Sequence, residues 1–337
     1  MPSSVSPSPA RRHSGASVLY LALAGILWGT GGLLGSLLAT ASGLSPLSVA
    51  AVRLLAGGAL LIAFQLAARQ RRPRGRAAWT RIGVLALLAA GFQAAYFESI
   101  ALTSVSLATL ITIGAAPVIV QAAELAAARQ RPSRDALATL ALALTSLGLL
   151  VGAPAGGNGE TALLGGAGLA LLSAAGFAAT TLIGATPVPG LGDLAVTGYG
   201  SALGGLALLP LALSSNGTAL AALAVHPAPA ALGLLAALGA GPTALAYVLY
   251  YRGLRSAAPS TAALMSLLEP LTATVLGVLL LGNRLGPAAT AGVALLSISV
   301  IVTAWPRRGR SLPGASGIAT TRCFRWPCRC RRSGRGR

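Results

Sequence analysis

The chain has no lysine, six acidic residues and two histidines among 337 residues. Charged residues make up 9% and apolar residues 55%, with a mean hydropathy of +0.76. A water-soluble domain of this size cannot cover itself with so few charges. His13 and His226 fall outside the apolar runs, which leaves no intramembrane histidine for a metal site or a Ser-His pair. No phosphate-cradling glycine loop occurs, so nothing points to an ATP-driven pump. The three cysteines, Cys323, Cys328 and Cys330, lie near the C-terminus, and their C-x4-C-x-C spacing lacks the second pair or nearby histidine of a zinc site. Free thiols in a reducing compartment are expected. The sequence therefore predicts no enzyme, no metal and no cofactor. The absence of lysine beside abundant Ala and Gly reads as coding bias and carries no chemistry.

The apolar residues lie in runs of about 20, which fits transmembrane helices and not a barrel. Ten spans are expected, at 17–37, 46–67, 82–101, 105–127, 135–153, 162–184, 194–214, 229–251, 257–281 and 287–305. The first run, with Arg11 and Arg12 before it and Ala39-Thr40-Ala41 after it, imitates a signal peptide but is too long for one and is followed by further spans. The net charge of +19 does not imply nucleic acid, because the 25 arginines lie mostly in loops and tails. Arg69, Arg71, Arg72, Arg74, Arg76 and Arg81 follow the second span, Arg129, Arg131 and Arg134 the fourth, and Arg252 and Arg255 the eighth. With both termini cytoplasmic, only Arg284 lies in an outside loop. Trp79 and Trp305 then fall at inner ends of spans, and Tyr250 and Tyr251 read as belt residues there.

The chain also repeats itself weakly. Setting Pro270 over Pro117 pairs Arg284 with Arg131 and Ser299 with Ser146, and one inserted residue brings Ala101-Leu102 onto Gly253-Leu254. Five spans per half is an odd number, so the second half must be inverted, and the arginines agree. The expected fold class is an all-α integral membrane protein with ten transmembrane helices in two inverted five-helix repeats. Its parts are a cytoplasmic N-terminal tail (1–16), a first repeat (17–153), a connecting loop (154–161), a second repeat (162–305) and an Arg-rich disordered tail (306–337). The tail is expected to attract anionic lipid headgroups. Gly25 and Gly29, Gly31 and Gly35, and Gly200 and Gly204 give small-xxx-small spacing suited to close helix packing.

Polar side chains inside the spans carry the candidate chemistry, because an intramembrane charge costs at least about 2.5 kcal/mol. Arg53 needs a partner or an aqueous cavity, and it reads either as a pin between helices or as an anchor for a substrate carboxylate. By rise per residue it lies roughly 10 Å below the outer boundary, Glu98 roughly 5 Å and Glu269 roughly 18 Å, which favours pairing Arg53 with Glu98. Glu269, beside Pro270, has no partner at its depth. An apolar setting disfavours its charged form, so it either exchanges a proton with a cavity or bonds, protonated, to a carbonyl freed by Pro270. Glu124 is expected to pair with Arg129 or Arg131. Pro117 and Pro270 are expected to interrupt their helices at matching places, with Pro242 as a further kink. Trp28, Gln93, Tyr96 and Tyr247 complete the candidate substrate-binding set.

Trp28-Gly29, Arg53, the run from Tyr96 to Leu102, and Leu268-Glu269-Pro270 continuing to Leu279-Leu280-Leu281-Gly282-Asn283-Arg284-Leu285 resemble EamA-type members of the drug/metabolite transporter superfamily. The resemblance covers about residues 17–305. It implies a ten-helix carrier of two repeats, usually an exporter of amino acids, metabolites or drugs, in a bacterial cytoplasmic membrane. Asn283, and its counterpart Gln130, stand where the family usually has Glu, so no role passes to that position. Glu98 stands where a small or apolar residue is expected. The function so expected is alternating-access export of a small amphipathic metabolite coupled to protons. Arg53 anchors its anionic group, Trp28 stacks on it and Glu269 senses protonation. The alternatives are a sensor or assembly subunit recruiting a partner through the basic tail, and a lipid flippase of the same fold.

Overall fold

The computed structural model describes residues 15–151, 160–282 and 284–304. The expected tails and connecting loop, with His13, Asn283, Trp305 and the cysteines, lie wholly or largely outside these residues. Every regular element among the described residues is helical. In order these are α1 (Gly15–Ser42), α2 (Pro46–Ala67), α3 (Arg76–Leu102), α4 (Val105–Ala128), α5 (Arg134–Val151), α6 (Glu160–Gly184) and α7 (Asp193–Val225). There follow α8 (Pro229–Leu238), a π-helical segment (Gly239–Leu245), α9 (Ala246–Leu254), α10 (Pro259–Met265), α11 (Leu268–Leu281) and α12 (Pro287–Ala304). Eight of the helical stretches are long and apolar enough to cross a membrane among the described residues, counting α8 through α9 and α10 through α11 as one each. Helices α5 and α12 have 18 described residues each.

Local chemistry sets many of the helix ends. Ser45 caps α2 by accepting from the Ser48 amide at 3.2 Å, with Pro46 at the first position, and Ser104 caps α4 through the Leu107 amide at 3.2 Å. At the other end of α2, the Gln70 amide donates to the Gln65 carbonyl and the Arg69 amide to the Leu66 carbonyl. This Schellman closure places Arg69 at φ 50°, the left-handed region where glycine is usual. Arg129 closes α4 in the same way at φ 52°.

Three breaks depart from the expected straight spans. Helix α7 runs past the expected end at 214 because Asn216, at φ −161° and ψ 61°, kinks it and caps the next piece through the Ala219 amide. The Asn216 side chain also donates to the Gly43 carbonyl at 2.7 Å, tying the kink to the α1–α2 turn. In the eighth span, Pro242 supplies no N–H to the Leu238 carbonyl, and the Thr243 hydroxyl donates to that carbonyl instead at 2.9 Å as the backbone widens into a π turn. The ninth span breaks at Ser266–Leu267. Pro270 therefore stands in the first turn of α11, where its missing N–H is not needed, and not in mid-helix. Pro117 likewise does not interrupt its helix: α4 continues through it.

Packing joins helices from the two halves of the sequence. Helix α2 lies along α7, α5 along α12, α3 against α6 and α7, and α1 against α9 and α11. At the α2–α7 crossing the glycines answer one another. A Cβ on Gly58 would stand 2.5 Å from the Ala202 amide, and one on Gly205 would stand 2.9 Å from the Leu55 amide. Ser146 and Ser299, paired by the sequence repeat, are both buried on α5 and α12, and the Ser299 hydroxyl donates to the Thr139 carbonyl across them. Outward positions carry large apolar side chains, such as Leu87, Leu164 and Leu279 at 68%, 70% and 72% exposed, as a lipid-facing surface requires.

Candidate functional site

Arg53 sits eight residues into α2, counting Pro46 as the first, and projects toward α3, where Gln93 is buried. An Arg53 Nη2 donates to Gln93 Oε1 at 2.8 Å, and the Gln93 amide nitrogen donates to the Ala89 carbonyl, which fixes the oxygen toward the guanidinium. A charged donor bonded to a neutral acceptor keeps its full positive charge, so the pairing positions Arg53 without neutralising it. Close by, Gly31 of α1 has Pro242 and Arg53 Nη1 within 4.0 Å of where a Cβ would stand. The absence of a side chain there lets the guanidinium pass beside the π turn.

Glu98, the expected partner, is exposed and makes no ion pair with Arg53. It stands five residues after Gln93 and therefore about 140° round the helix. Nearness in depth favours the pairing, but helical phase separates the two residues. Glu269 is half-buried at the start of α11, and α1 runs between it and Arg53, with Gly31 against the guanidinium and Gly29 against the Glu269 carbonyl. Arg53 on α2, Gln93 and Tyr96 on α3, Tyr247 on α9 and Glu269 on α11 thus draw this polar group from four helices. The Ser266 carbonyl, which Pro270 leaves without its usual donor, accepts from the Glu269 backbone amide at 2.9 Å. The side chain of Glu269 is not needed for that bond.

Trp28 is 7% exposed, with Phe177, Tyr247 and Tyr250 around it at ring-centroid distances of 6.0, 5.2 and 4.9 Å. Its indole N–H is buried and has no acceptor among the described residues. Tyr96 shares a 2.7 Å hydrogen bond with Thr109 of α4. Helix α1 reaches the site by close backbone contact: a Cβ on Gly25 would fall 2.5 Å from the Met265 carbonyl oxygen, and one on Gly29 2.7 Å from that of Glu269. These two glycines let α1 press on both sides of the break that sets Glu269.

Several participants were not singled out from sequence. Tyr250 and Tyr251 are 1% and 7% exposed and so are not belt residues, and Tyr250 shares a 2.6 Å hydrogen bond with Thr181. The available signal was spacing: Tyr250 follows Tyr247 by three residues and so shares its face. Thr109, Phe177 and Thr243 carried no comparable sequence signal. Glu124 does not pair with Arg129 or Arg131 but accepts from the Ser260 amide at 3.1 Å, joining α4 to the start of α10. Arg255 Nε pairs with Asp193 at 2.6 Å, beside bonds from Arg255 to the Leu191 carbonyl and from Arg81 to the Ile183 carbonyl. No group of three or more potential metal ligands gathers among the described residues.

The sequence matches the EamA-like transporter family over two segments, residues 15–152 and 164–305. This chain belongs to the EamA-like transporter family. The resemblance drawn from Trp28-Gly29, Arg53 and Leu268-Glu269-Pro270 is thereby borne out. A relative from Bacillus subtilis (strain 168), described as the uncharacterized transporter YwfM, is 29% identical over 298 residues, which make up 88% of this chain and 97% of that protein. One solved crystal structure superposes with a TM-score of 0.67 at 20% identity, covering 87% of this chain and 99% of its own, a likeness of fold. The EamA-like protein is therefore a multi-pass membrane transporter, with the polar group around Arg53 set among its apolar helices.

Proposed function

We propose that this EamA-like protein is a secondary carrier that exports a small amphipathic metabolite, amino acid or drug across a bacterial cytoplasmic membrane by alternating access, coupled to protons. The observation that carries the reading is the Arg53–Gln93 pair held within apolar helices, with Glu269 at the start of α11 against the same helix, α1, that passes Arg53. A fixed guanidinium without a carboxylate on it is an anchor for an anionic group. Glu269 takes up and releases the coupling proton, and the buried Trp28 N–H offers a further donor to the substrate. No covalent bond is made or broken in this cycle.

Ten spans in two inverted repeats, with both termini cytoplasmic, form the scaffold of the proposal. Support comes from the two-segment family match and from the reciprocal contacts of Gly58 and Gly205 across α2 and α7. The meeting of Arg71 with Arg252, and of Arg81 with Arg255, at shared surface clefts supports the placement of the second and eighth loops on one side. The π segment and the α10–α11 break are the places where the backbone can hinge. The test is flux in proteoliposomes against pooled labelled amino acids and small metabolites, with and without an imposed pH gradient. Gradient-dependent flux of one class supports the carrier; no flux from folded, inserted protein removes it.

A further inference from the structure

An open cavity lies away from the Arg53 group. A cleft of about 180 Å³ lies where the ends of α2 and α9 meet the start of α7. That volume is well above the roughly 10–15 Å³ needed to admit one water. Its walls are tied together, because the buried Gln65 side chain donates to the Leu61 and Leu194 carbonyls at 3.2 and 3.1 Å. The Schellman closure at Arg69 turns the chain so that Gln70 and Arg71 line one side. Arg252 lines the other, with its guanidinium 5.3 Å over the Tyr20 ring. Asp193 is the carboxylate in the lining, and its Oδ1 accepts from Arg255 at 2.6 Å. Two arginines, Arg71 and Arg252, therefore line the cleft, and the carboxylate in its lining accepts from Arg255.

We propose that this cleft binds the phosphate of an anionic phospholipid headgroup. Guanidiniums match phosphate oxygens in charge and in paired-donor geometry. Apolar surface adjoins the charged rim: Leu66, next to Gln65, is 49% exposed, and Leu245, one turn before Val248 of the lining, is 50% exposed. An amphiphile with a phosphate end and acyl chains satisfies both parts, whereas free phosphate satisfies only the first. The placement at the headgroup level of the inner leaflet rests on the orientation given above. The test reads lipid occupancy and not flux, so its failure leaves the transporter reading standing.

Purified full-length protein in phosphatidylcholine mixed micelles is titrated with phosphatidylglycerol, reading the unfolding midpoint and lipid retention by native mass spectrometry. Each variant is compared with its own lipid-free state. At about 1 kcal/mol net for each lost arginine–phosphate hydrogen-bonded contact, Arg71→Gln with Arg252→Gln weakens apparent affinity roughly 30-fold. The charge-matched pair Arg72→Gln with Arg74→Gln, from the same loop but outside the lining, changes it less than about threefold. Each single cleft variant, expected to lose about fivefold, carries the test if the double variant does not fold. Equal losses in the two pairs would mean diffuse attraction and overturn the site. Equal protection by inorganic phosphate would overturn the lipid as its occupant.

Discussion

Gly58, from the Gly57-Gly58 doublet of α2, and Gly205, from the Gly204-Gly205 doublet of α7, answer each other at one crossing, yet four residues before the doublets stand Arg53 in one helix and Gly200 in the other. A second contrast has the same form. The repeat that sets Pro270 over Pro117 sets Glu269 over Ala116, and α4 runs through its proline while the ninth span breaks ahead of its own. Close helix contact depends on backbone shape, so it can be built twice. The charges appear once each, Arg53 in the first half and Glu269 in the second, and both lie against α1, beside Gly31 and Gly29. Scaffold positions and site positions are thus separable by whether they have a counterpart.

The largest expected effect comes from the residue without one. Arg53→Gln removes a charge-assisted anchor of about 2–3 kcal/mol and lowers flux roughly 30- to 150-fold while insertion, read by membrane yield, is kept. Glu269→Gln keeps the shape of the side chain but cannot titrate, so the pH dependence of flux is expected to flatten. A preserved dependence would assign coupling to another group. Next comes the shared scaffold: Gly58→Val and Gly205→Val should each destabilise by about 1–3 kcal/mol in detergent melts, and alike. Markedly unequal effects would break the equivalence of the two doublets. Gly200→Ala has open space around it and should change stability by less than about 0.5 kcal/mol. Smallest of all, Glu98→Gln on the exposed face of α3 should leave flux within about twofold, since it neither touches Arg53 nor pairs with it.

The spans were legible because a bilayer demands about 20 apolar residues, and that demand is written in composition. The Asn216 kink, the π turn and the Ser266–Leu267 break were harder to place because each is settled by a few hydrogen bonds. The Thr243 hydroxyl on the Leu238 carbonyl is one, and Ser266 accepting from the Glu269 amide is another. Proline alone misled: Pro117 is carried inside a helix, whereas Pro270 begins one. Within the site, Arg53, Gln93, Tyr96, Tyr247 and Glu269 stood out as polar groups in apolar runs. Which of them would meet did not, because pairing depends on helix neighbours and on phase round each helix. Depth placed Glu98 beside Arg53; phase turned it away and gave the guanidinium to Gln93.

The central claim is that one charge from each half forms the transport site. Proteoliposomes holding wild type, Arg53→Gln or Gly200→Ala, matched for inserted protein, test it by flux of the compound class identified in the pooled panel. The account predicts flux from wild type and Gly200→Ala and near-complete loss from Arg53→Gln. Undiminished flux from Arg53→Gln would contradict it.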